Sequence, residues 1–256
     1  MLESFFLPKK VVEINRAIIA TNIWSENYYH WMIQILPKIL LSVKLTDYQN
    51  VIINQKMNDY QTQSLELLSK RIKPINIIET KKNQKYFVLD SLIPQVDYLQ
   101  KWKIEVLREF LDYIDLETPI KENRIYLSRA KQKSRKIINE IEFYGTLRDH
   151  GFRRIFLEDY SFENQVKLFN NAEYILAPHG AGLTNLVFCK KSTNIIEIMP
   201  KNRTANHFKS IAKYVGLNYK RFTCDVSGIH KRNGNMKITR ELLSKIVSEI
   251  NLISSG

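Results

Sequence analysis

Short apolar runs alternate with helical patterns along the whole chain, and this alternation restricts the possible fold more than any other feature. A strand, a helix and a second strand in succession form a crossover unit, so the pattern predicts a mainly parallel sheet. The alternation is most regular in the second half. Strands are predicted there at 124–127, 154–157, 174–177, 195–199 and 219–222, and helices at 139–150, 161–170, 205–215 and 239–250.

The first half shows the same alternation less regularly. Strands are predicted at 17–20, 51–53, 75–78 and 86–89, and helices at 29–43, 59–68 and 98–113. Thr118-Pro119 interrupts the pattern and suggests a boundary between residues 1–118 and 119–256. We therefore predict an α/β protein of two Rossmann-like domains facing each other across a cleft, with the last helix free to pack back on the first domain. A single continuous α/β domain is the alternative.

The formal net charge of +13 is concentrated in the second domain. Residues 1–118 carry 15 Lys and Arg against 14 Asp and Glu, whereas residues 119–256 carry 24 against 12. Such an asymmetry predicts an anionic partner, which could be nucleic acid, an acidic membrane surface, an acidic glycan or a nucleotide diphosphate. A basic surface that only keeps the protein soluble is the alternative.

Cysteine spacing and hydropathy indicate the cellular setting. Cys189 and Cys224 have no CxxC or histidine companions, which argues against a zinc site, and two cysteines are too few for a disulfide scaffold. Residues 1–10 lack a signal-peptide pattern, and no run approaches the ~18 apolar residues of a membrane span. We expect a cytoplasmic protein, either soluble or peripheral at the inner face of the membrane.

The segment 174–185, Y-I-L-A-P-H-G-A-G-L-T-N, joins an apolar strand to a glycine-rich turn and a helix. Ligands bind beyond the carboxyl ends of parallel strands, and the first N–H groups of a helix attract phosphate. Gly180 and Gly182 lack a Cβ, so a diphosphate can approach the backbone, and His179 and Thr184 supply side-chain donors. A tight turn that uses glycine only for its geometry is the alternative.

Two charged residues accompany this loop. Arg129 follows the strand 124–127 at the same edge of the sheet, and arginine makes forked contacts with phosphate. The neighbouring cations are interpreted as a solvated basic loop: Lys131, Lys133, Arg135 and Lys136. Glu197 lies between apolar strand residues and needs a buried partner, which is either a ribose hydroxyl pair or a salt bridge.

A third group of residues, Asn27-Tyr28-Tyr29-His30-Trp31, opens a helix near the N-terminus. Asn27 can cap the helix, and His30 and Gln34 lie four residues apart on one face. A histidine in a cleft can take a proton from a hydroxyl group near neutral pH. A core histidine with satisfied hydrogen bonds is the alternative.

Together, in this order, these motifs resemble glycosyltransferase family 61. The resemblance covers about residues 22–223 and depends on N-Y-Y-H-W at 27–31, L-S-R at 127–129, the run at 157–169, P-H-G-A-G-L-T-N at 178–185 and I-I-E at 195–197. It implies a GT-B architecture and an inverting hexosyl- or pentosyltransferase that uses a nucleotide diphosphate-sugar, commonly a UDP-sugar. Bacterial relatives are described as capsular or other surface polysaccharide biosynthesis proteins, so a glycan or lipid-linked glycan acceptor is implied.

The resemblance also assigns residues. It places Asn27 and His30 on the acceptor side, with Gln34 beside them, and gives the nucleotide diphosphate to Arg129, His179, Gly180, Ala181, Gly182 and Glu197. Many relatives have an acidic residue where this chain has Gln34, and a neutral amide cannot act as a base. Either His30 acts as the base, or another carboxylate does, or the chain is weakly active; His30 is the catalytic residue that we predict.

We expect no metal, no other cofactor and no nucleic-acid partner, and the chain has no Asp-x-Asp. Two alternatives stay open: a non-catalytic nucleotide-sugar or glycan binder, and a basic nucleic-acid-binding α/β module. A hydrolase that uses His179-Gly180-Ala181-Gly182 as an oxyanion hole would need a Gly-x-Ser-x-Gly elbow, which the sequence lacks.

Overall fold

The protein is described by a computed structural model that covers residues 10–54, 56–95, 98–118, 120–227 and 234–254. It divides into two compact units, Met1–Tyr113 and Ile114–Gly256. The division falls five residues before the predicted boundary after residue 118, and Pro119 lies outside the described residues.

The first unit contains a four-stranded, fully parallel sheet with the strand order β3-β2-β1-β4. This is the order of the first four strands of a doubly wound dinucleotide-binding sheet. Its strands are β1 (Lys10–Ile19), β2 (Asn50–Ile53), β3 (Asn76–Glu79) and β4 (Gln84–Leu92). Its helices are α1 (Tyr28–His30), α2 (Leu36–Leu45), α3 (Asp59–Arg71), α4 (Lys101–Arg108) and α5 (Phe110–Tyr113), with a π-helical segment (Trp31–Ile35) between α1 and α2.

The π-helical segment is anchored to α3 in the first unit. Trp31 is completely buried, and its indole Nε1–H donates to Ser64 Oγ of α3 at 3.1 Å. A buried Trp N–H requires such a partner. This bond holds the start of the π-helical segment, directly after His30, against α3.

The second unit contains a five-stranded parallel sheet with the order β6-β5-β7-β8-β9 and a short antiparallel pair, β10 and β11. The strands are β5 (Arg124–Leu127), β6 (Arg153–Ile155), β7 (Tyr174–Pro178), β8 (Asn194–Pro200), β9 (Asn218–Cys224), β10 (Val226–Ser227) and β11 (Asn235–Met236). The helices are α6 (Glu140–Asp149), α7 (Phe162–Asn171), α8 (His207–Val215) and α9 (Arg240–Ser254), with 3₁₀ segments at Leu157–Asp159 and Ala181–Phe188.

Counted within the second unit, this strand order is 2-1-3-4-5, the flavodoxin-like arrangement. In such a sheet the order reverses between the first and third strands, which here are β5 and β7. Ligands bind in the crevice at the carboxyl ends of these two strands. Arg129 lies just after β5 and His179 just after β7, so both stand at the switch point.

The core of the second unit lies between the sheet and helices α6 and α9. It includes Leu176 and Ile196 of the central strands, Phe143 of α6, and Ile246 and Ile250 of α9. The final helix therefore packs into the core of its own unit, and the expectation that it also packs back on the first domain stays a prediction.

The predicted parallel α/β organisation is confirmed, with local differences. Strand β1 starts seven residues before the predicted position, because its outer part alternates between exposed and buried residues while pairing with β4 from Lys10 to Ile18. The predicted helix 98–113 is divided into α4 and α5, and the helix after Gly180 is a 3₁₀ helix. The GT-B arrangement of two domains across a cleft stays a prediction.

Cys189 and Cys224 are both buried free thiols. Burial raises the pKa of the Cys224 thiol to about 11. Within the part of the chain that the structure describes, no helix has the length and apolar character needed to cross a membrane.

Candidate functional site

Arg129 and Gly180, 51 residues apart in sequence, meet at the switch point of the second sheet. Nη1 of Arg129 lies so close to Gly180 that a Cβ at this glycine would overlap it. The guanidinium is oriented by the Ser134 carbonyl, which accepts from Nε at 3.3 Å and from Nη2 at 3.1 Å. Nη1, which takes part in neither bond, faces the glycine loop.

The glycine loop turns sharply from β7 into the 3₁₀ helix. The first helical bond runs from the Leu183 N–H to the Gly180 carbonyl at 3.0 Å. The N–H groups of Ala181 and Gly182 precede it, as expected for donors at a helix N-terminus that have no intrahelical acceptor. Gly182 packs against Leu157, because a Cβ there would lie 2.5 Å from Cδ1 of Leu157 and would displace this side chain. The loop thus presents backbone donors beside the Arg129 guanidinium, an arrangement that suits an anion.

Thr184 has a structural position in this loop rather than the predicted ligand-binding one. Its side chain is completely buried, and its hydroxyl donates to the Ala181 carbonyl at 2.6 Å. A hydroxyl has one hydrogen to donate. Thr184 therefore stabilises the turn and has no donor left for a phosphate.

Glu197 on β8 is fully buried and is contacted by three side chains. His179 Nδ1 lies 2.5 Å from Oε1, Arg221 Nε donates to Oε2 at 2.9 Å, and the Tyr219 hydroxyl donates to the same oxygen. Of the two interpretations of Glu197, the structure shows the buried ion pair. A ribose contact is not supported, because both carboxylate oxygens face protein donors.

Electrostatics fixes the charge states in this network. Burial acts to raise the pKa of Glu197, but the interactions with His179, and to a smaller extent with Tyr219 and Arg221, lower it overall. Burial lowers the pKa of His179 and outweighs the opposing effect of Glu197. At neutral pH, His179 is therefore neutral and donates Nδ1–H to the Glu197 carboxylate. The lone pair is on Nε2, which does not face Glu197.

Two further arginines, Arg135 and Arg203, share the electrostatic environment of Arg129. Burial, together with the charges of Arg129 and Arg203, lowers the pKa of Arg135 to about 10. The pKa of Arg129 is also lowered, first by burial and also by Arg203, against a raising contribution from Glu158. The positive charges of these partly buried arginines repel one another, and a bound anion would relieve this repulsion.

The sequence suggested that Arg135 belongs to a solvated basic loop. The structure shows that this interpretation is wrong. Arg135 is half-buried, has a left-handed φ of 58°, and its Nε is a buried atom for which the described residues offer no hydrogen-bond acceptor. Arg203 was not recognised from the sequence. The available signal was its position just after β8, whose carboxyl end lies at the same edge of the sheet as those of β5 and β7.

His207, the first residue of α8, completes the cluster. Its ring centroid lies 5.5 Å from that of His179 and 4.5 Å from that of Phe208. Burial lowers the pKa of His207 to about 4, with additional contributions from His179 and Arg203. The imidazole is therefore neutral at physiological pH.

This low pKa predicts how stability changes with pH. Unfolded His207 takes up a proton near pH 6.5, whereas folded His207 does so only near pH 4. The free energy of unfolding should consequently fall as pH decreases from 6.5 to 4, by up to about 1.4 kcal/mol per pH unit for this proton, and should not depend on this group above pH 6.5. Urea denaturation at pH 7.5, 6 and 5 would measure it. His207→Gln should flatten the slope relative to wild type; equal slopes in the two proteins would contradict the prediction.

In the first unit, His30 is oriented by Gln34. His30 Nδ1 lies 2.7 Å from Gln34 Oε1, and an amide oxygen can only accept, so the proton resides on Nδ1 and Nε2 is left as an acceptor. Asn27 caps the helix, since its Oδ1 accepts the Tyr29 N–H at 3.0 Å. Asn27 and Gln34 thus position His30.

A pocket of about 210 Å³ lies next to this histidine, at the carboxyl ends of β1 and β4. In the order β3-β2-β1-β4, this is the switch point of the first sheet. The lining residues are Ala20, Thr21, Gln34, Ile35, Lys38 and Pro94.

The predicted residues thus form two groups, one in each unit. Asn27, His30 and Gln34 lie together in the first, and the second brings together Arg129, His179, Gly180, Ala181, Gly182, Thr184 and Glu197. Among the described residues, no group of three or more His, Cys, Asp or Glu side chains could hold a metal ion. Metal independence stays a prediction.

Comparison with known proteins identifies the family. The family model described as Glycosyltransferase 61 matches residues 28–196. The chain is similar to a beta-1,2-xylosyltransferase of Arabidopsis thaliana, with 41% identity over 59 residues, which is 23% of this chain and 11% of the relative. It is also similar to an EGF domain-specific O-linked N-acetylglucosamine transferase of Drosophila melanogaster, with 32% identity over 98 residues, 37% of this chain and 18% of the relative. Both matches span less than a fifth of the relative's length, but the family model spans well over half of this chain, which therefore belongs to the Glycosyltransferase 61 family.

Proposed function

We propose that this protein is an inverting glycosyltransferase that moves a sugar from a nucleotide diphosphate-sugar to a hydroxyl group of a glycan. The observation that supports it most is the convergence of Arg129, Arg135 and Arg203 beside the Gly180 loop. The loop and Arg129 lie where a doubly wound sheet binds its ligands. A UDP-sugar is the proposed donor, on the basis of the family resemblance.

The chemistry of this site matches a diphosphate. A diphosphate has several anionic oxygens, which can accept from guanidinium groups and backbone N–H groups together. Three mutually repelling arginines require more than one negative charge for compensation. Glu158 is the carboxylate that raises the pKa of Arg129, and it is a single charge. The same cations would stabilise the charge that develops on the leaving diphosphate, which is why we propose a mechanism without a metal.

The proposed reaction is one displacement. The acceptor hydroxyl oxygen attacks the anomeric carbon as the bond from that carbon to the diphosphate oxygen breaks, which inverts the configuration. The hydroxyl proton passes to Nε2 of His30, whose other nitrogen is held by Gln34. The electron pair of the broken bond stays on the diphosphate, next to Arg129.

The names of the two relatives suggest which donors to test first, namely UDP-xylose and UDP-N-acetylglucosamine. We extend the proposal to a glycan or lipid-linked glycan acceptor in surface polysaccharide synthesis, at the cytoplasmic face of the membrane. That extension depends only on the resemblance of the sequence motifs to bacterial relatives.

Isothermal calorimetry with UDP, GDP, CMP and the two UDP-sugars tests the donor site. We expect wild-type protein to bind UDP, and Arg129→Ala to weaken this binding about 10- to 100-fold, as expected for the loss of a hydrogen bond to a charged group. Failure of every nucleotide to bind the wild-type protein would exclude the proposal.

Glycine substitutions provide a matched pair for the same titration. Gly180→Ala places a methyl group where Arg129 Nη1 lies and should weaken UDP binding, because the guanidinium must move. Gly145→Ala is the control: a Cβ there meets nothing within 4 Å, so UDP affinity should be unchanged. Equal affinities of the two variants would show that the Arg129–Gly180 contact does not contribute to binding.

Nucleic-acid binding is a second candidate because of the charge of the second half. It predicts RNA or DNA affinity that falls steeply with salt and does not respond to UDP. We expect instead that UDP competes with any RNA that binds the arginine cluster. A binder without catalysis, the third possibility, would bind UDP-sugars and transfer nothing to any acceptor.

A further inference from the structure

We infer that Trp24 forms a stacking surface for the acceptor sugar, directly beside His30; this rests on the proposed function. The indole side chain is unusually accessible for a tryptophan, with 60% of the residue exposed. Its ring stacks on the His30 imidazole, with 6.0 Å between centroids and 28° between planes. The exposed aromatic surface therefore continues directly from the proposed base.

The exposure of Trp24 is imposed by a hydrogen-bonded loop at the carboxyl end of β1. The Trp24 N–H donates to Asn22 Oδ1 at 2.8 Å, and the Asn22 N–H donates to Asn54 Oδ1 at 2.7 Å. The Ser25 N–H donates to the Asn22 carbonyl at 3.0 Å, and Gln61 Nε2 donates to the Ser25 carbonyl at 3.1 Å. Leaving a large aromatic surface in water forgoes stabilisation of about 25 cal/mol per Å². Because these hydrogen bonds hold the backbone that exposes the Trp24 ring, we expect a ligand to cover the ring.

The chemistry around Trp24 favours a sugar ring. The face of an indole has a negative potential, and the C–H groups on the less polar face of a pyranose are polarised by the ring and hydroxyl oxygens, so the two surfaces attract each other. A sugar on the exposed part of the Trp24 ring would lie next to the side chain of His30, because the two rings are stacked. Gln34 both orients His30 and lines the neighbouring pocket.

The adjacent Ile23 allows a sugar-stacking surface at Trp24 to be distinguished from a surface for general apolar contacts. Ile23 is 83% exposed. A membrane or protein surface that covers this loop would use Ile23 and Trp24 alike, since both expose apolar area. A sugar-stacking surface requires the aromatic ring and not the isoleucine.

Steady-state transfer assays separate these roles. Trp24→Ala should raise the KM for the acceptor about tenfold, in line with the loss of an aromatic contact, while the donor KM stays the same. Trp24→Phe should restore most of the acceptor affinity, and Ile23→Ala should match the wild type. An unchanged acceptor KM in Trp24→Ala, or equal losses in Trp24→Ala and Ile23→Ala, would overturn the inference.

A binding measurement that needs no activity uses methyl β-xylopyranoside and methyl β-glucopyranoside as probes. The three tryptophans give indole N–H signals in an NMR spectrum of ¹⁵N-labelled protein, and Trp24→Phe identifies the one from Trp24. We expect saturable shifts of the Trp24 signal, with the buried Trp31 as internal reference.

If UDP binds but neither glycoside shifts the Trp24 signal, the inference fails and the proposed function stands. If UDP does not bind, the proposed function itself fails. Equal loss of binding to anionic lipid vesicles in Trp24→Ala and Ile23→Ala would assign the loop to a membrane instead.

Discussion

His30→Asn should lower the rate of sugar transfer by about 10²- to 10⁴-fold while UDP affinity stays at the wild-type value. This is the usual contribution of a general base. The expectation follows from the contact of Nδ1 with Gln34 Oε1, which leaves Nε2 able to accept the hydroxyl proton. Asparagine keeps a polar group at this position but cannot take up a proton near neutral pH. Transfer assays and calorimetry on the same protein samples separate the two effects.

Two companion substitutions test whether Gln34 acts through His30. Gln34→Glu supplies a charged acceptor for Nδ1–H, which stabilises the imidazolium and should move the acidic limb of the pH–rate profile to higher pH. Gln34→Leu removes the acceptor and should lower kcat without affecting UDP binding. His150→Asn, in the second unit, is the control and should leave transfer unchanged. Wild-type transfer rates in His30→Asn would show that another group is the base.

The parallel sheets and the approach of Arg129 to the glycine loop follow from rules that the sequence reveals. Apolar strands alternating with helices predict parallel pairing, and the carboxyl ends of parallel strands lie at one edge of the sheet. Residues directly after two such strands therefore meet if the strands are neighbours. β5 and β7 are neighbours in this fold, which brings Arg129 to Gly180.

The arginine cluster could not be predicted in the same way, because loop conformation and not strand order brings it together. Arg135 lies in a stretch of lysines and arginines whose composition is typical of a solvated loop. Only its backbone path, with a left-handed φ at Arg135, turns that side chain inward. Arg203 lies in the connection between β8 and α8, and its direction depends on that turn.

The side chains that contact Glu197 can be identified only when the register of the strands is known. Glu197 on β8 pairs with Arg221 on β9, and Tyr219 lies two residues before Arg221, on the same face of that strand. The sequence shows a carboxylate among apolar residues, which signals that a buried partner exists. It does not show which side chain from which strand supplies that partner, so the ribose and ion-pair interpretations could not be separated.

Glu197→Leu should reduce the free energy of unfolding by about 3–5 kcal/mol, the usual cost of removing one member of a buried ion pair. The substitution leaves the Arg221 guanidinium facing an apolar side chain and removes the acceptor of His179 Nδ1–H and the Tyr219 hydroxyl. Urea denaturation followed by circular dichroism measures the change. Glu241→Gln, on the exposed surface of α9, is the matched control and should not shift the midpoint.

The double variant Glu197→Leu/Arg221→Met identifies the cause of the loss. If the cost arises from the uncompensated charge of Arg221, removing that charge should recover a substantial part of the stability, because apolar replacements of a whole buried pair are often tolerated. Should the double variant instead lose the sum of the two single effects, the network would act as independent contacts. Arg221 has further bonds to Asn206 Oδ1 at 2.9 Å and to the Ala205 carbonyl at 3.0 Å, so recovery should be incomplete. UDP affinity should fall in both variants that contain Glu197→Leu, because Glu197 positions His179 beside the glycine loop. It should not fall in the single variant Arg221→Met.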